Sequence, residues 1–325
     1  MVALSVFAAL LTPCLVSGAI YKQTSLQFPY HHDIGRLPDE SSTSLSHLAA
    51  TPTLKARPTT VYRPRSIDVV EQARQRSLLY EENEALEWNA VDVLGPDIED
   101  RHTLVQLGRM AGNAYALPGR TNWYDLDEVW NTSFPFGWED SEDGFRGHVF
   151  LSSDNSTVIL SIKGTTLQGP TSWKDKLNDN LLVGHSLGGA LASLLGSTFG
   201  LPAVAFESPG ERLAAERLHL PLPPRLANSS SILPVTHVYH TADPIPQGVC
   251  TGFASACAQA GYALETRCHL GKSIVYDTVG ILGWYVDVRT HIIKDVIHRV
   301  LEAEDVEWEE GRDVPEARLR RKIVS

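Results

Sequence analysis

Gly184-His185-Ser186-Leu187-Gly188 is a G-x-S-x-G pentapeptide set between the apolar Leu181-Leu182-Val183 and the small-residue run from Gly189 to Gly196. That context predicts a strand, a sharp turn and a helix, the setting in which a serine hydroxyl is presented as a nucleophile. A turn this tight leaves no space for a side chain on either flank, so both flanks are glycine. The helix that starts there aims its first backbone N–H groups at the reacting carbon, where Leu187 N–H can stabilise an oxyanion. The plainer alternative is a glycine-rich packing turn. A serine hydroxyl is a weak nucleophile, so chemistry here requires a base and an orienting acid elsewhere in the chain.

When a serine sits on such a strand–turn–helix, an acid and then a histidine follow it along the chain, each just past a strand or element end. Asp243 is the best acid. It follows the strand-like Val235–His240 and precedes Pro244-Ile245-Pro246, whose prolines stiffen the loop. An ordinary Asp-Pro turn is the alternative. The base candidates are His269, His291 and His298. His291 is preferred because it sits at a loop-to-helix junction after Thr290, a residue able to cap the helix. His298 lies two turns inside that helix, and His269 is next to Cys268. The turn after the strand 158–162 supplies a second oxyanion donor, and Thr165 is the candidate.

These groups need a sheet to hold them. Gly147–Leu151, Val158–Ile162, Ala203–Phe206 and Val235–His240 read as strands. Helical patterns cover 67–88, about 98–115 and 287–303, the last with Ile292, Ile293, Val296, Ile297, Val300 and Leu301 as a stripe of period 3.6. Strands alternating with helices predict a mostly parallel α/β sheet. Residues 22–65 read as extended chain, and 122–138, with Trp123, Tyr124, Trp130, Phe134, Phe136 and Trp138, as a packed aromatic hairpin or an interfacial patch. His31-His32-Asp33 is a solvated turn rather than a metal site, and the sequence implies no metal or organic cofactor.

The 325 residues are 43% hydrophobic and 21% charged, with a formal net charge of −11. Those values fit a globular body and argue against nucleic acid as a partner. Residues 2–21 carry no charge and are about long enough to span a bilayer, with Pro13 as a blemish. A retained signal-anchor, a cleaved signal peptide at Ser17-Gly18-Ala19 and a core helix are the three readings, the first preferred. It would place the remainder in the secretory lumen. The sequons at Asn131, Asn155 and Asn228 agree with that exposure. Cys250, Cys257 and Cys268 leave an odd number of thiols there.

GHSLGGALASLLG, PAVAFESPGERLAAERLHLP, THVYHTADPIPQGVCTG and YALETRCHLGKSIVYDTV together resemble the fungal autophagy-related vacuolar lipases, a branch of the class 3 (triacylglycerol) lipases. The likeness covers most of 60–305. It implies an α/β-hydrolase fold over 98–305, preceded by a membrane-spanning helix at 1–21 and a lumenal segment at 22–97, with a charged tail at 306–325. It implies a single-pass type II protein that travels through the endoplasmic reticulum and Golgi to multivesicular bodies. Its substrates would be phospholipid and triacylglycerol membranes in the vacuole lumen. Carried onto this chain, the family's nucleophile, acid and base fall on Ser186, Asp243 and His291.

One departure stands out. In the family, roughly seventy residues separate the stretch like Lys174–Leu182 from the elbow, whereas here Asn180-Leu181-Leu182 runs straight into Val183-Gly184. A crossover between parallel strands needs a dozen or more residues, usually with a helix. Only 163–180 are available, and they contain Gly169-Pro170. The nucleophile strand is expected to be short, with barely three apolar residues, and an internal segment is expected to be missing. Residues 166–180, with Trp173 and Leu177, would form either a lid or a simple connecting loop. A non-catalytic lumenal protein and a soluble-ester hydrolase are the competing functional expectations.

Overall fold

Eight strands make one sheet whose centre carries the elbow. The computed structural model describes residues 54–81, 86–130, 132–138, 143–164, 171–172, 181–223, 233–248, 268–303 and 307–310. The strands are β3 (Thr132–Phe136), β5 (Gly147–Leu151), β6 (Val158–Ile162), β8 (Leu181–His185), β9 (Ala203–Phe206), β10 (Val235–His240), β11 (Lys272–Tyr276) and β12 (Trp308–Glu310). Their order across the sheet is β12-β11-β10-β9-β8-β6-β5-β3. The five strands from β6 to β11 run parallel, and antiparallel strands flank them: β5 and β3 on one side, β12 on the other. β1 (Ala56–Pro64) and β2 (Trp88–Pro96) form a separate antiparallel ribbon, and β4 (Asp143–Gly144) pairs with β7 (Thr171–Ser172).

The alternation of side chains along each strand divides the core between the two faces. Ile159, Val183, Val204, Phe206 and Val238 pack with Leu104, Leu107, Met110 and Ala111 of α2 (Arg101–Asn113). Their sequence neighbours Leu160, Ile162, Leu182 and Ala203 pack with Ala192 of α3 (Leu187–Phe199). The central strands are buried on both faces, which is why they read as continuous apolar runs rather than as alternating ones. Helix α2 starts cleanly because the Asp100 carboxylate accepts from the N–H and hydroxyl of Thr103, both at 2.8 Å.

Several expected elements change. Helix α1 covers Ile67–Tyr80 and stops at Glu81, whose φ of 55° is left-handed. Trp88, the last residue of the expected helix, belongs to β2, whose partner β1 lies in the stretch read only as extended. The aromatic stretch makes no hairpin of its own: β3 pairs with β5, Trp130 is buried, and Trp123 packs edge-on to His148. The stripe at 287–303 is broken into a 3-10 turn (Val288–His291), α6 (Ile293–Val296) and a π turn (Ile297–Leu301); a short helix at Thr278–Leu282 is α5, and α4 is Arg212–Arg217. Val296, Ile297, Val300 and Leu301 are buried as the stripe predicts, while Ile292 is 54% exposed. Strand β8 has five residues, as long as β6, because Gly184 and His185 of the motif extend it. No helix among the described residues is long and apolar enough to cross a membrane. Residues 1–21, Trp173 and Leu177 lie outside the described residues.

Candidate active site

The elbow follows from its glycines. A Cβ on Gly184 would overlap the backbone of Gly188, and one on Gly188 would overlap the carbonyl of Ile162. Only bare backbone lets α3 turn back this closely onto β8 and β6. Ser186, at the apex, has φ 59° and ψ −129°, a region that costs a non-glycine residue on the order of 1–3 kcal/mol. Its N–H donates to Phe206 O at 2.9 Å and its carbonyl accepts from Ala190 N–H at 3.1 Å, so strand and helix hold the strained residue between them. The hydroxyl makes no cap bond to α3 and faces His291 instead.

Ser186 Oγ lies 2.8 Å from His291 Nε2, and His291 Nδ1 lies 2.6 Å from Asp243 Oδ2. Asp243 is fully buried, and its other oxygen accepts from Ile245 N–H at 2.9 Å. Burial opposes ionisation of this carboxyl, but the bond and charge of His291 outweigh it and hold it below its ordinary value. The carboxylate fixes the proton on His291 Nδ1 and leaves Nε2 free to accept from the serine, which is general-base geometry. Thr290 does not cap a helix. Its hydroxyl donates to Ala242 O at 3.0 Å and Asp287 O at 2.7 Å, tying the base loop to the acid loop.

Four polar residues that motif reading passed over brace this arrangement. His185 Nε2 bonds the carbonyl of His291 at 2.8 Å, so that nitrogen carries the hydrogen and Nδ1 accepts from Tyr115 Oη at 2.9 Å. Tyr115 Oη in turn accepts from Gly164 N–H at 3.1 Å. Burial pushes the His185 imidazole down to about 3, so it stays neutral. His240 Nε2 donates to the neighbouring carbonyl of Thr290 at 3.1 Å. Two neutral imidazoles therefore hold two successive carbonyls at the base. Glu207, fully buried with φ 44°, sits beside Asp243. Burial and then the Asp243 charge push its carboxyl well above the usual range, so it holds its proton beside the Asp243 carboxylate.

The alternatives fall elsewhere. His298 is on the surface, bonded to Glu302 at 2.8 Å. His269 is buried and donates to Pro246 O at 2.9 Å. Leu187 opens α3 beside the nucleophile. Thr165, Asn131, Asn228, Cys250 and Cys257 lie outside the described residues, and Asn155 stands exposed in the turn between β5 and β6. A cleft lined by Leu104, Tyr276 and Trp308 contains none of the three residues.

No family model matches the chain. Curated relatives do. One named as lipase ATG15 from Cryptococcus neoformans is 45% identical over 298 residues, spanning 71% of this chain and 57% of the relative. Lipase ATG15 of Mycosarcoma maydis is 36% identical over 349 residues, spanning 85% and 66%. The Saccharomyces cerevisiae protein of that name is 40% identical over 293 residues, spanning 68% and 56%. The chain thus spans about half to two thirds of their length. Each alignment is about seventy residues longer than the stretch of this chain it occupies. Among solved structures, Lip2 lipase of Yarrowia lipolytica gives 14% identity over 56% of this chain and 80% of that one, at a TM-score of 0.34. A lipase of Rhizopus microsporus var. chinensis gives 16% over 46% and 69%, at 0.30. Those scores carry no weight beside the strand order and elbow, which by themselves describe an α/β-hydrolase sheet. By its identity to these fungal proteins over most of its length, the chain belongs to the ATG15 lipase family.

Proposed function

We propose that this chain is a serine hydrolase cleaving the ester bonds of phospholipids and triacylglycerols at a membrane surface. The unbroken line from Ser186 Oγ through His291 to Asp243, at 2.8 and 2.6 Å, carries the reading. His291 Nε2 takes the Ser186 proton as Oγ attacks the ester carbonyl. The tetrahedral oxyanion faces Leu187 N–H, with Thr165 as the second donor. His291 returns the proton to the leaving alcohol, and water then cleaves the acyl-enzyme by the same steps in reverse.

Lipid as substrate is supported by the family and by the apolar surface around the site. Leu187 and Ile292, next to Ser186 and His291, are 39% and 54% exposed. The segment leading to His291 also exposes Ile281, Tyr285, Val286 and Val288. Exposed apolar side chains in one segment mark a surface that meets something apolar. The same reading makes residues 1–21 a signal-anchor and places the enzyme in the vacuole lumen, acting on autophagic and intravesicular membranes, with glycans at Asn131, Asn155 and Asn228.

The test is hydrolysis of phospholipid liposomes by the intact chain and by Ser186→Ala. Loss of activity in the variant by at least about 10³-fold supports the reading. Equal, near-zero turnover by both sinks it and favours the second reading, a non-catalytic protein.

A further inference from the structure

On the other side of the acid loop lies a second group of ionisable side chains that the triad does not use. Glu211, His237 and His269 are each at most 4% exposed, and their donor atoms lie within 4.8 Å of one another. Glu211 Oε1 accepts from Leu270 N–H at 2.9 Å and from the Ser193 hydroxyl at 2.5 Å, and it lies 3.0 Å from His237 Nε2. His269 donates from Nε2 to Pro246 O, so in the neutral ring Nδ1 presents a lone pair. That lone pair faces Glu211 Oε2 at 3.4 Å, and neither atom has a hydrogen-bond partner among the described residues.

Two lone pairs facing each other in a dry interior are unfavourable unless a cation sits between them. The cation is a proton or a metal, and the donor set favours a metal. Two imidazoles and one carboxylate suit zinc. His237 Nε2 lies 3.0 Å from Oε1 and His269 Nδ1 3.4 Å from Oε2, so each imidazole faces one oxygen of the same carboxylate, and one donor atom from each residue lies within 4.8 Å of the others. Ser193 Oγ donates to Glu211 Oε1 at 2.5 Å, too close to be a second ligand beside it, so it holds the carboxylate from the outer shell. The bond from His269 Nε2 to a backbone carbonyl is the outer-shell contact that orients a ligating imidazole.

We propose that Glu211, His237 and His269 bind a structural zinc ion, with Ser193 holding the carboxylate ligand in place. The ligands come from β10, from the residue preceding α4 and from the chain entering β11, and Ser193 comes from α3. Pro246, which accepts from His269, is three residues past Asp243. The ion therefore fastens the acid loop to the helix that carries the nucleophile. Full burial leaves no open position for substrate, so its role is structural.

The test is elemental analysis of the full chain purified without chelator or affinity metal, paired with thermal unfolding. Zinc at one equivalent per chain is expected. Chelation should lower Tm, and zinc, but not magnesium or calcium, should restore it. Glu211→Gln and His269→Gln should lose the ion. If these variants fail to fold, the chelation and re-addition experiment on the unaltered chain decides. A metal-free protein whose Tm does not respond to zinc overturns the proposal in favour of a proton held by the cluster. A stoichiometric metal other than zinc overturns the zinc assignment. Neither readout depends on lipase activity.

Discussion

Two carboxylate–imidazole sites flank the same loop, and they differ in what the imidazole's far nitrogen meets. At His291 it meets the Ser186 hydroxyl, and the ring is 15% exposed. At His269 it meets the fixed carbonyl of Pro246, and ring and carboxylate are sealed from water. A proton on the first ring can move to serine and then to a leaving group. A hydrogen on the second ring has nowhere to go, so that site can only hold something in place. The same residue types thus give a proton shuttle on one side of the loop and a clamp on the other. The partner of the second ring nitrogen decides which.

Substitutions at the triad should break that contrast most strongly. Ser186→Ala and His291→Ala are expected to lower kcat/KM by at least about 10³-fold without changing the circular dichroism spectrum. Near wild-type turnover of His291→Ala would remove the shuttle from the comparison. Asp243→Asn should cost about 10³-fold as well, because the amide no longer fixes the tautomer of His291. Steady-state kinetics on a short-chain ester would show the loss in kcat rather than KM.

A smaller effect is expected from the brace. Tyr115→Phe leaves Gly164 N–H and His185 Nδ1 without their partner, which should cost about 1–3 kcal/mol by urea unfolding. Activity should fall by about tenfold through loosened placement of His291. Unchanged stability would show that the phenol does not hold the base.

The smallest effect is a slope. The Glu207 carboxyl, facing Asp243 and 3.8 Å from His240 Nε2, is raised in the folded chain above its ordinary 4.5. The folded state therefore binds the proton more tightly than the unfolded state. Its contribution to stability is complete below about 4.5 and is lost as the pH rises through the raised value. Glu207→Gln, which cannot ionise, should flatten that part of the Tm–pH curve. An unaltered curve would mean that Glu207 is ionised in the fold.

The elbow was legible because its whole cause is local: the glycines, the serine and the apolar strand sit within a dozen residues. Asp243 and His291 were legible from chain order and from the prolines and element ends beside them. Tyr115, Glu207 and Glu211 were not, because nothing in their own neighbourhoods marks them. Tyr115 meets His185 seventy positions away, and Glu211 meets Leu270 across fifty-nine. The stripe at 287–303 misled for a physical reason. Val296 to Leu301 keep helical spacing through a π turn, while Ile292 breaks the helix so that His291 can lean toward Ser186. Strand β2 was hidden because Val91 and Val93 on its inner side are only half-buried while the apolar Leu94 on its outer side is 74% exposed, so the burial alternation is blurred in the sequence.

The most direct measurement is mass spectrometry of the intact chain after reaction with a long-chain alkyl fluorophosphonate, followed by peptide mapping. One label per chain on the peptide carrying Ser186, absent in both Ser186→Ala and His291→Ala, is the predicted result. No label on folded protein, or a label on another serine, would contradict a nucleophile at Ser186.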